Sequence, residues 1–462
     1  MRFFGLLGLF FAMAFGADGE TAAIDLTTTW AGILSLIIFV VGYFFIAAEE
    51  NFHIDKAKPA IFIGTFMFLL IGVYMLINGM DVHSLEHEVN HLILEIAQIV
   101  FFLMVAMTFI EALIERDVFN ALKYNLVSKG YTYRKLFWLT GILAFFISPV
   151  ADNLTTALIL STVLLTIDRN NTNFLVAGAI NIVVAANAGG AWSPFGDITT
   201  LMAWAAGKAP FVDFFALFPA SIIGWFVTAF LLSRVVPSTA PHFDVANEPK
   251  VVMKKGGKAV IFIGAFTIFC AVMMHQLFHL PAMWGMMFGF SLLSLYTYYF
   301  KKAHKNEEPM HVFHYMSKIE NNTLFFFFGI LAAVGALHFA GFLNYAVSLY
   351  DKFGSTAVNI GVGFLSAIVD NVPVMSAVLK ANPAMGADAG EAMSQWLLVT
   401  LTAGIGGSMI SFGSAAGVGV MGKLKGIYTF GAHMKYAWMV VLGYIVSIIV
   451  WYVQFEIFHI YF

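Results

Sequence analysis

Long apolar runs constrain this chain more than any other feature of its sequence. Runs of about 20 residues with few charges recur along its 462 residues, and a helix needs about that length to cross the hydrocarbon core of a membrane. Only 11% of the residues are charged, against about 25% in a typical soluble protein. Runs of this length exclude a membrane β-barrel, whose strands are about 10 residues of alternating polarity. The sequence therefore predicts an all-α polytopic membrane protein.

The apolar runs predict about ten transmembrane helices. Residues 1–17 combine an apolar run with small residues near its end, a pattern typical of a cleavable signal peptide; if this segment is retained, it forms an eleventh helix. The predicted spans are residues 29–48, 59–77, 94–114, 173–206, 214–236, 258–276, 281–298, 323–340, 393–420 and 436–458.

Two further apolar stretches, residues 136–167 and 356–380, do not fit this count. The first has about 13 residues on each side of the sequence SPVADN, too few for one arm to cross a core of about 30 Å. The whole stretch is too long for one ordinary span, so a re-entrant helical hairpin satisfies both limits. With two hairpins, most of the 24 Lys and Arg residues fall in cytoplasmic loops, the positive-inside rule is obeyed and the C-terminus lies outside.

Short matches in the same order indicate an internal duplication. Residues 148–154 read SPVADNL and residues 366–372 read SAIVDNV, while residues 189–197 read GGAWSPFGD and residues 406–414 read GGSMISFGS. An odd number of predicted crossings separates the two Asp-Asn motifs, so the two repeats are inverted relative to each other. Inverted repeats that each contain a re-entrant hairpin and a broken helix are typical of secondary transporters.

The carboxylates at the predicted hairpin bends are the first candidates for function. Asp152 and Asp370 fall near the middle of the membrane, where an unpaired carboxylate costs about 3 kcal/mol or more. Each Asp either caps the returning helix or binds a cation, and the oxygen donors around it favour the cation. The neighbouring donors are Ser148, Asn153, Thr155, Thr156, Ser366 and Asn371. We predict Na⁺ or Li⁺ as substrate at Asp152, Asn153, Asp370 and Asn371, where a proton competes for the same carboxylates.

Glycine-rich segments interrupt two predicted spans. Unwound backbone at membrane depth is tolerated only where it is buried in protein or lines a cavity, and its carbonyl groups are ready ion ligands. Asn187 and Asp197 flank the first interruption and complete the candidate site, although Asp197 is equally suited to cap the half-helix ITTLMAW. The glycines predicted to open the backbone and so to contribute to ion binding are Gly189, Gly190, Gly406 and Gly407. The serines of the second interruption, which either bend and pack the helix or act as ligands, are Ser408, Ser411 and Ser414.

Other polar residues have simpler interpretations. His83, His87 and His91 share one face of an amphipathic stretch, a spacing that suits metal binding or pH sensing but is more typical of a solvated surface helix. The single cysteine, Cys270, excludes a disulfide framework and a cysteine-rich zinc site. Basic residues form no patch for nucleic acid, and we expect no cofactor. Membrane lipid is the expected partner.

Four segments are similar to those of the NhaD-type Na⁺/H⁺ antiporters, within the ion-transporter superfamily that includes dicarboxylate and arsenite carriers. They read DNLTTAL, GGAWSPFGDITTLMAW, DNVPV and GSAAGVGVMG, and the resemblance covers nearly everything from residue 29 onward. It implies a homodimer with an elevator mechanism, in which scaffold spans 29–114 and 258–340 hold the dimer and residues 136–236 and 356–462 carry the ions. Segments VFNALKYNLVSKG and GFLNYAVSLYDKFG would be arm helices along the membrane surface.

The duplication and the resemblance together predict how the chain is divided. The predicted parts are a first scaffold part at 29–114, a first arm helix with hairpin and transport part at 115–236, a loop with the second scaffold part at 237–340, and a second arm helix with hairpin and transport part at 341–462.

The expected function is exchange of cytoplasmic Na⁺ or Li⁺ for external H⁺ in a bacterial inner (plasma) membrane, serving pH homeostasis. One alternative is an anion carrier of the same fold, for arsenite or a carboxylate, but no Lys or Arg lies near either Asp-Asn motif. A more distant alternative is an intramembrane aspartyl protease. That enzyme needs a Gly-x-Gly-Asp signature, and the nearest sequence here is PFGD at 194–197.

Overall fold

Every regular element that the structure describes is helical, as the apolar runs predict. The structure, a computed structural model, describes residues 24–47, 49–52, 54–127, 130–241 and 251–460, and the predicted signal segment lies outside these ranges. The α-helices in chain order are α1 Trp30–Ala47, α2 Glu49–Phe52, α3 Ala57–Ile77, α4 Val82–Glu115, α5 Val118–Val127, α6 Tyr133–Ala151, α7 Asn153–Ile167, α8 Thr172–Gly190, α9 Ile198–Ala205, α10 Phe218–Ser233, α11 Gly257–Phe278, α12 Ala282–Ala303, α13 Val312–Lys318, α14 Asn321–Phe339, α15 Asn344–Phe353, α16 Ser355–Ile368, α17 Asn371–Ala381, α18 Ala389–Gly406, α19 Ala415–Lys423, α20 Phe430–Met434 and α21 Ala437–Tyr452. A 3₁₀-helix, Phe211–Leu217, leads into α10, and one π-helical turn, Val453–Ile457, follows α21.

Within the described ranges, eight helical segments are long and apolar enough to cross a membrane, which confirms a polytopic membrane protein. These segments are Ala57–Ile77, Val82–Glu115, Tyr133–Ala151, Thr172–Gly190, Phe211–Ser233, Gly257–Phe278, Asn321–Phe339 and Ala437–Ile457. Shorter apolar helices lie at Trp30–Ile46, Asn153–Leu165 and Ser355–Ile368. Helices occupy most of the described residues in each of the ten predicted spans, but the spans 173–206 and 393–420 each contain a non-helical interruption. The number of helices that cross the membrane stays a prediction.

The chain between Tyr133 and Ile167 forms a helical hairpin. α6 ends and α7 begins at Asp152, whose φ of 54° lies in the left-handed region and interrupts the helix. The two ends of the hairpin meet, because the Tyr133 hydroxyl donates to Asp168 at 2.5 Å. The predicted arm length is wrong for α6, which has 19 residues because Thr132 caps a polar first turn ahead of the apolar run. Contact between the ends, and not short arms, therefore identifies this hairpin.

A second pair of helices is broken at the other Asp-Asn motif. α16 ends at Ile368, and α17 begins at Asn371. Residues 353–357, at the start of α16, and residues 384–386, after α17, line one open cleft of about 700 Å³. The two ends of this pair therefore also lie together, as in a hairpin.

Two helices are interrupted where the sequence carries its glycine motifs. α8 ends at Gly190, and α9 begins after Asp197, whose side chain accepts a hydrogen bond from the first turn of α9. α18 ends at Gly406, and α19 begins after Ser414, whose hydroxyl accepts from the first turn of α19. We call residues 191–197 the first break and residues 407–414 the second break. The two breaks use the same capping position, with a carboxylate in one and a hydroxyl in the other.

The described residues pack into two compact units. The first draws its described residues from Met1–Val100, Asn321–Gly361 and Val372–Gln395. In this unit α14 packs on α3 with the two backbones in contact, because a Cβ added at Gly329 would lie only 2.3 Å from the carbonyl carbon of Ala60. Glycine is required there for close helix approach.

The second unit contains both breaks and both Asp-Asn motifs. It comprises Phe101–Glu320, Val362–Asn371 and Trp396–Phe462. α8 is its central helix, since α6, α7, α10 and α19 all pack against it. Every residue from 174 to 190 is buried, so this helix has no side facing lipid or water within the described structure. The core of this unit therefore leads directly into the first break.

The short helices α5 and α15 lie where the resemblance predicts arm helices. Their placement along the membrane surface, the inversion of the repeats and the division into scaffold and transport parts stay predictions.

Candidate cation-binding site

Asp197 is a deeply buried carboxylate at the end of the first break. Only 3% of its surface is exposed. Its Oδ1 accepts hydrogen bonds from the Thr199 backbone N–H at 3.0 Å and from the Thr199 hydroxyl at 3.1 Å. The capping interpretation is therefore correct for Asp197, since an N-cap side chain accepts from the first turn of its helix.

Asparagines from both Asp-Asn motifs converge on the same carboxylate. The Nδ2 of Asn153 donates to Asp197 Oδ2 at 2.8 Å, and the Nδ2 of Asn371 donates to the two Asp197 oxygens at 3.0 and 3.2 Å. Because an ionised carboxylate only accepts, the amide nitrogens face Asp197 and the amide oxygens face elsewhere. Asp197 thus caps α9 and also joins two motifs that lie far apart in the sequence.

Asn187, near the end of α8, extends this network into the second break. Its Oδ1 accepts from the Asn153 amide at 3.0 Å. Its own Nδ2 donates to the hydroxyls of Ser408 at 2.8 Å and Ser414 at 2.9 Å. All of these side chains are buried, and both hydrogens of each amide are used. The packing interpretation of the two serines is therefore incomplete, because they hold a polar side chain of the other repeat.

Ser148 and Ser366 make the same contact in the two repeats. The Ser148 hydroxyl donates to the Ala186 carbonyl at 2.6 Å, and the Ser366 hydroxyl donates to the Ala403 carbonyl at 2.6 Å. Each serine is buried and joins the helix before an Asp-Asn motif to the helix before a break. In each repeat, this contact holds the motif beside the unwound backbone.

Asp152 and Asp370 lie near Asp197 without replacing it as the centre of the network. Both are half-buried, and both are close enough to Asp197 to repel it electrostatically. Asp152 caps α7, since its carboxylate accepts from the Thr155 backbone N–H at 2.9 Å and the Thr155 hydroxyl at 2.8 Å. The Thr156 hydroxyl is buried and has no hydrogen-bond partner among the described residues.

The predicted glycines serve close packing more than unwinding. Gly189, Gly190 and Gly406 are helical, so the unwound backbone begins after them. A Cβ added at Gly189 would lie 2.3 Å from the Phe145 carbonyl oxygen, and one at Gly406 would lie 2.3 Å from the Gly363 carbonyl oxygen. A Cβ added at Gly190 would lie 2.5 Å from the Gly196 carbonyl oxygen. One added at Gly407 would lie 2.5 Å from the Gly413 carbonyl oxygen. Gly189, Gly190 and Gly406 therefore keep helical backbone themselves, and the contribution of the four glycines to ion binding stays a prediction.

The side chains around Asp197 that could bind a cation are carboxylates, amides and hydroxyls. In the described ranges, no three histidine, cysteine, aspartate or glutamate side chains come together as a metal centre requires. His83, His87 and His91 lie exposed on α4, where His83 contacts Glu86 and His91 contacts Glu95, each at 3.3 Å. The buried network around Asp197 is therefore the stronger candidate for binding a small, hard cation.

Relatives of known name match this chain over almost its whole length. The Na⁺/H⁺ antiporter NhaD from Vibrio cholerae is 40% identical over 96% of this chain and 96% of its own length. The Na⁺/H⁺ antiporter NhaD from Alkalimonas amylolytica is also 40% identical, over 99% of this chain and 98% of its own length. The chain belongs to the NhaD family of Na⁺/H⁺ antiporters. The NhaD family consists of transporters and not of enzymes, so the protease alternative falls away.

Two further matches carry other names. Sodium/proton antiporter 1 from Arabidopsis thaliana is 30% identical over 90% of this chain and 72% of its own length. Residues 36–404 also match the family described as citrate transporter. The NhaD resemblance predicted from the sequence segments is confirmed.

Two residues of this candidate site were not predicted from the sequence. Thr199 donates to the Asp197 carboxylate, as described above, and the buried Thr200 hydroxyl lies 2.7 Å from the Asp197 carbonyl and 2.9 Å from the Ser193 carbonyl. Both follow Asp197 in the first turn of α9. The capping position of Asp197 was the available signal, because hydroxyls in the first turn after a cap are well placed to bond to it.

Proposed function

We propose that this chain exchanges cytoplasmic Na⁺ for external H⁺ across a bacterial inner membrane, with Li⁺ as an alternative substrate and the C-terminus outside. The observation that carries the proposal is the buried Asp197 carboxylate, which asparagines from both Asp-Asn motifs contact at 2.8 to 3.2 Å. The names of the NhaD relatives point to the same pair of ions. A buried carboxylate beside amide and hydroxyl oxygens can hold either a hard cation or a proton.

In the proposed site, Asp197 is the shared carboxylate and Asp152 and Asp370 supply further negative charge. The amide nitrogens of Asn153 and Asn371 already face Asp197, which leaves their amide oxygens as cation ligands. Protonation of a carboxylate removes a negative ligand, so Na⁺ and H⁺ exclude each other. This mutual exclusion is what couples the two ions on a single site.

The proposed cycle is an elevator movement of the transport parts in a homodimer held by the scaffold parts. The paired network supports a transport part that moves as one body, because Asn187 and Asp197 bind residues of both repeats. Cross-linking of engineered cysteine pairs in α11 and α12 should trap a dimer, and a strictly monomeric protein in membranes would contradict this assignment.

An anion carrier is the second candidate, because the matched family is described as citrate transporter. Among the described residues, neither Asp152 nor Asp197 forms an ion pair with a lysine or arginine. A site for a carboxylate anion needs positive charge or N–H donors that are not already used. The negative side chains of the proposed site therefore favour a cation as the substrate over an anion.

Everted membrane vesicles test the proposal directly. A pH gradient is established in vesicles that contain the chain, and Na⁺, Li⁺, K⁺ and citrate are added in turn. We expect Na⁺ and Li⁺ to dissipate the gradient and citrate to have no effect. The matched control is Asp197→Asn, which keeps the cap of α9 but removes the charge, and it should abolish the response. A gradient that survives every cation would refute the antiporter assignment.

Competition between the ions predicts a specific pH dependence. Protonation removes the ligand for Na⁺, so the Na⁺ concentration for half-maximal exchange should rise as pH falls below the pKa of the site. One competing proton predicts a rise of about 10-fold per pH unit, since each unit corresponds to about 1.4 kcal/mol of proton binding. The maximal rate at saturating Na⁺ should change far less. A half-saturation constant that stays flat while the maximal rate changes would place the titrating group elsewhere.

A further inference from the structure

His433 lies against the second break and takes no part in the network around Asp197. It belongs to α20, and its side chain is fully buried. Its Nε2 lies 3.1 Å from the Met409 carbonyl oxygen, and its Nδ1 lies 2.7 Å from the hydroxyl oxygen of Tyr428, which is also buried. Met409 directly follows Ser408, whose hydroxyl accepts from Asn187. The residue that His433 contacts is therefore the direct neighbour, in the chain, of a residue in the proposed site.

The partners of His433 determine its tautomer. A carbonyl oxygen can only accept, so Nε2 must carry the hydrogen and donate to Met409. Nδ1 of a neutral imidazole is then an acceptor, and the Tyr428 hydroxyl donates to it. Burial between two neutral groups disfavours the imidazolium form. The result is a chain of two directed hydrogen bonds from Tyr428 through His433 to the backbone of the second break.

The backbone around Ser408 is held from both sides. On the helix side, the Ser408 and Met409 N–H groups donate to carbonyls in the last turn of α18, each at 3.0 Å. On the other side, the Met409 carbonyl is held by His433. Loss of the second contact would leave the Met409 carbonyl, one residue after Ser408, without this donor.

The first break has a different support at the equivalent position. Trp192 aligns with Met409 in the duplicated motif, and its ring packs on Phe215 and Phe218 with centroids 5.8 and 5.3 Å apart. Its indole N–H has no hydrogen-bond partner among the described residues. Aromatic packing thus supports one break, and a directed hydrogen bond supports the other.

We propose that His433 is a positioning residue for the cation site: it holds the Met409 carbonyl and thereby fixes Ser408 against Asn187. This inference rests on the proposed function, because its consequence is measured as cation affinity. His433 acts as a neutral donor in this arrangement and does not sense pH. Its role requires an N–H at the Nε2 position and does not require an imidazole.

Two variants of similar size separate the donor from the packing. His433→Gln places an N–H near the Nε2 position, whereas His433→Met fills the space without a donor. In everted vesicles, His433→Met should raise the Na⁺ concentration for half-maximal exchange about fivefold or more, the factor expected for loss of one ordinary hydrogen bond. His433→Gln should stay within about twofold of the unmodified chain, with the same pH profile.

Thr429→Ala is the matched control for α20 itself. The Thr429 hydroxyl caps that helix by accepting from the Ala432 N–H at 3.3 Å, whereas the Met409 carbonyl is bonded by His433. It should lower the amount of folded protein without changing the half-saturation concentration. Equal behaviour of His433→Met and His433→Gln, whether both are normal or both impaired, would overturn the proposal, and so would an affinity loss in Thr429→Ala. Absence of Na⁺-driven exchange in the unmodified chain would instead refute the proposed function.

Discussion

At the scale of single residues, the two asparagines of the Asp-Asn motifs have more contacts with the buried carboxylate than the aspartates that precede them. Asn153 bridges Asp197 and Asn187, while the Nδ2 of Asn371 lies within hydrogen-bond distance of both Asp197 carboxylate oxygens. These donors compensate for the water that Asp197 loses on burial. Removing either donor leaves a buried charge less well compensated, which costs more than an ordinary surface hydrogen bond.

Asn153→Ala and Asn371→Ala should each weaken Na⁺ exchange strongly. A hydrogen bond to a charged group contributes about 1.5–3 kcal/mol, so the half-saturation concentration for Na⁺ should rise by about 10-fold or more. The double variant should fall short of the product of the single effects, since both residues act on Asp197. Asn120→Ala, at an exposed position in α5, serves as the control. Independent effects in the double variant would contradict a shared carboxylate.

A substitution at Asp152 can distinguish its role as a helix cap from its role as a negative charge. Asparagine caps a helix about as well as aspartate, so Asp152→Asn keeps the cap of α7 and removes only the charge. Because Asp152 is proposed to contribute charge to the cation site, we expect Asp152→Asn to abolish exchange at normal protein levels. If Asp152 is only a cap, Asp152→Asn should be active and Asp152→Ala should be unstable. Exchange rates and the amount of folded protein in membranes distinguish the two cases.

At the scale of elements, close approach at the helix ends keeps the breaks in place. Gly406, in the last turn of α18, lies against the Gly363 carbonyl of α16, and Gly189 has the same relation to α6. A side chain at either position would push the Asp-Asn motif away from the break. The carbonyl–glycine contacts therefore set the distance over which Asn153 and Asn371 reach Asp197.

Gly406→Ala should destabilise the protein by about 1–3 kcal/mol, the usual range for overpacking. A Cβ at this position would lie 2.3 Å from a backbone oxygen, which no rotamer change can relieve. Gly422→Ala is the control, because Gly422 is helical with no atom within 4 Å of an added Cβ, and alanine is the better helix former. Thermal unfolding in detergent measures both, and equal melting temperatures would contradict the contact.

At the scale of the whole molecule, the inverted orientation of the two repeats is open to a direct test. Arg169 follows the first hairpin, and Ala387 occupies the equivalent position after α17; both are exposed. In a chain with Cys270 replaced by alanine, Arg169→Cys should react with an impermeant thiol reagent from the cytoplasm, and Ala387→Cys from outside. Reaction of both from one side would show that the repeats are parallel.

Sequence patterns predicted the helical hairpins and many of the candidate residues. They did not predict which of these residues contact one another. The Asp-Asn motifs identified Asn153 and Asn371, but hydropathy placed the start of α6 too late, because its first turn is polar and depends on the Thr132 cap. Thr199 was missed although it follows the predicted cap Asp197, because a threonine in an apolar half-helix does not by itself show which group it bonds to. His433 was missed for the same reason, because Met409 lies 24 positions away.

The sequence by itself determined that the chain is helical and membrane-embedded, and it predicted a duplication, because hydrophobicity, charge and repetition are properties of the order of residues. It also determined the polar residues available at membrane depth. Only the tertiary structure decided which of them meet. Asp197 is the centre of the hydrogen-bond network because α8, which leads into the first break, is buried among four helices. The carbonyl–glycine contacts then bring both Asp-Asn motifs to this break. A buried carboxylate needs several donors at once, and no single segment of this chain contains enough of them.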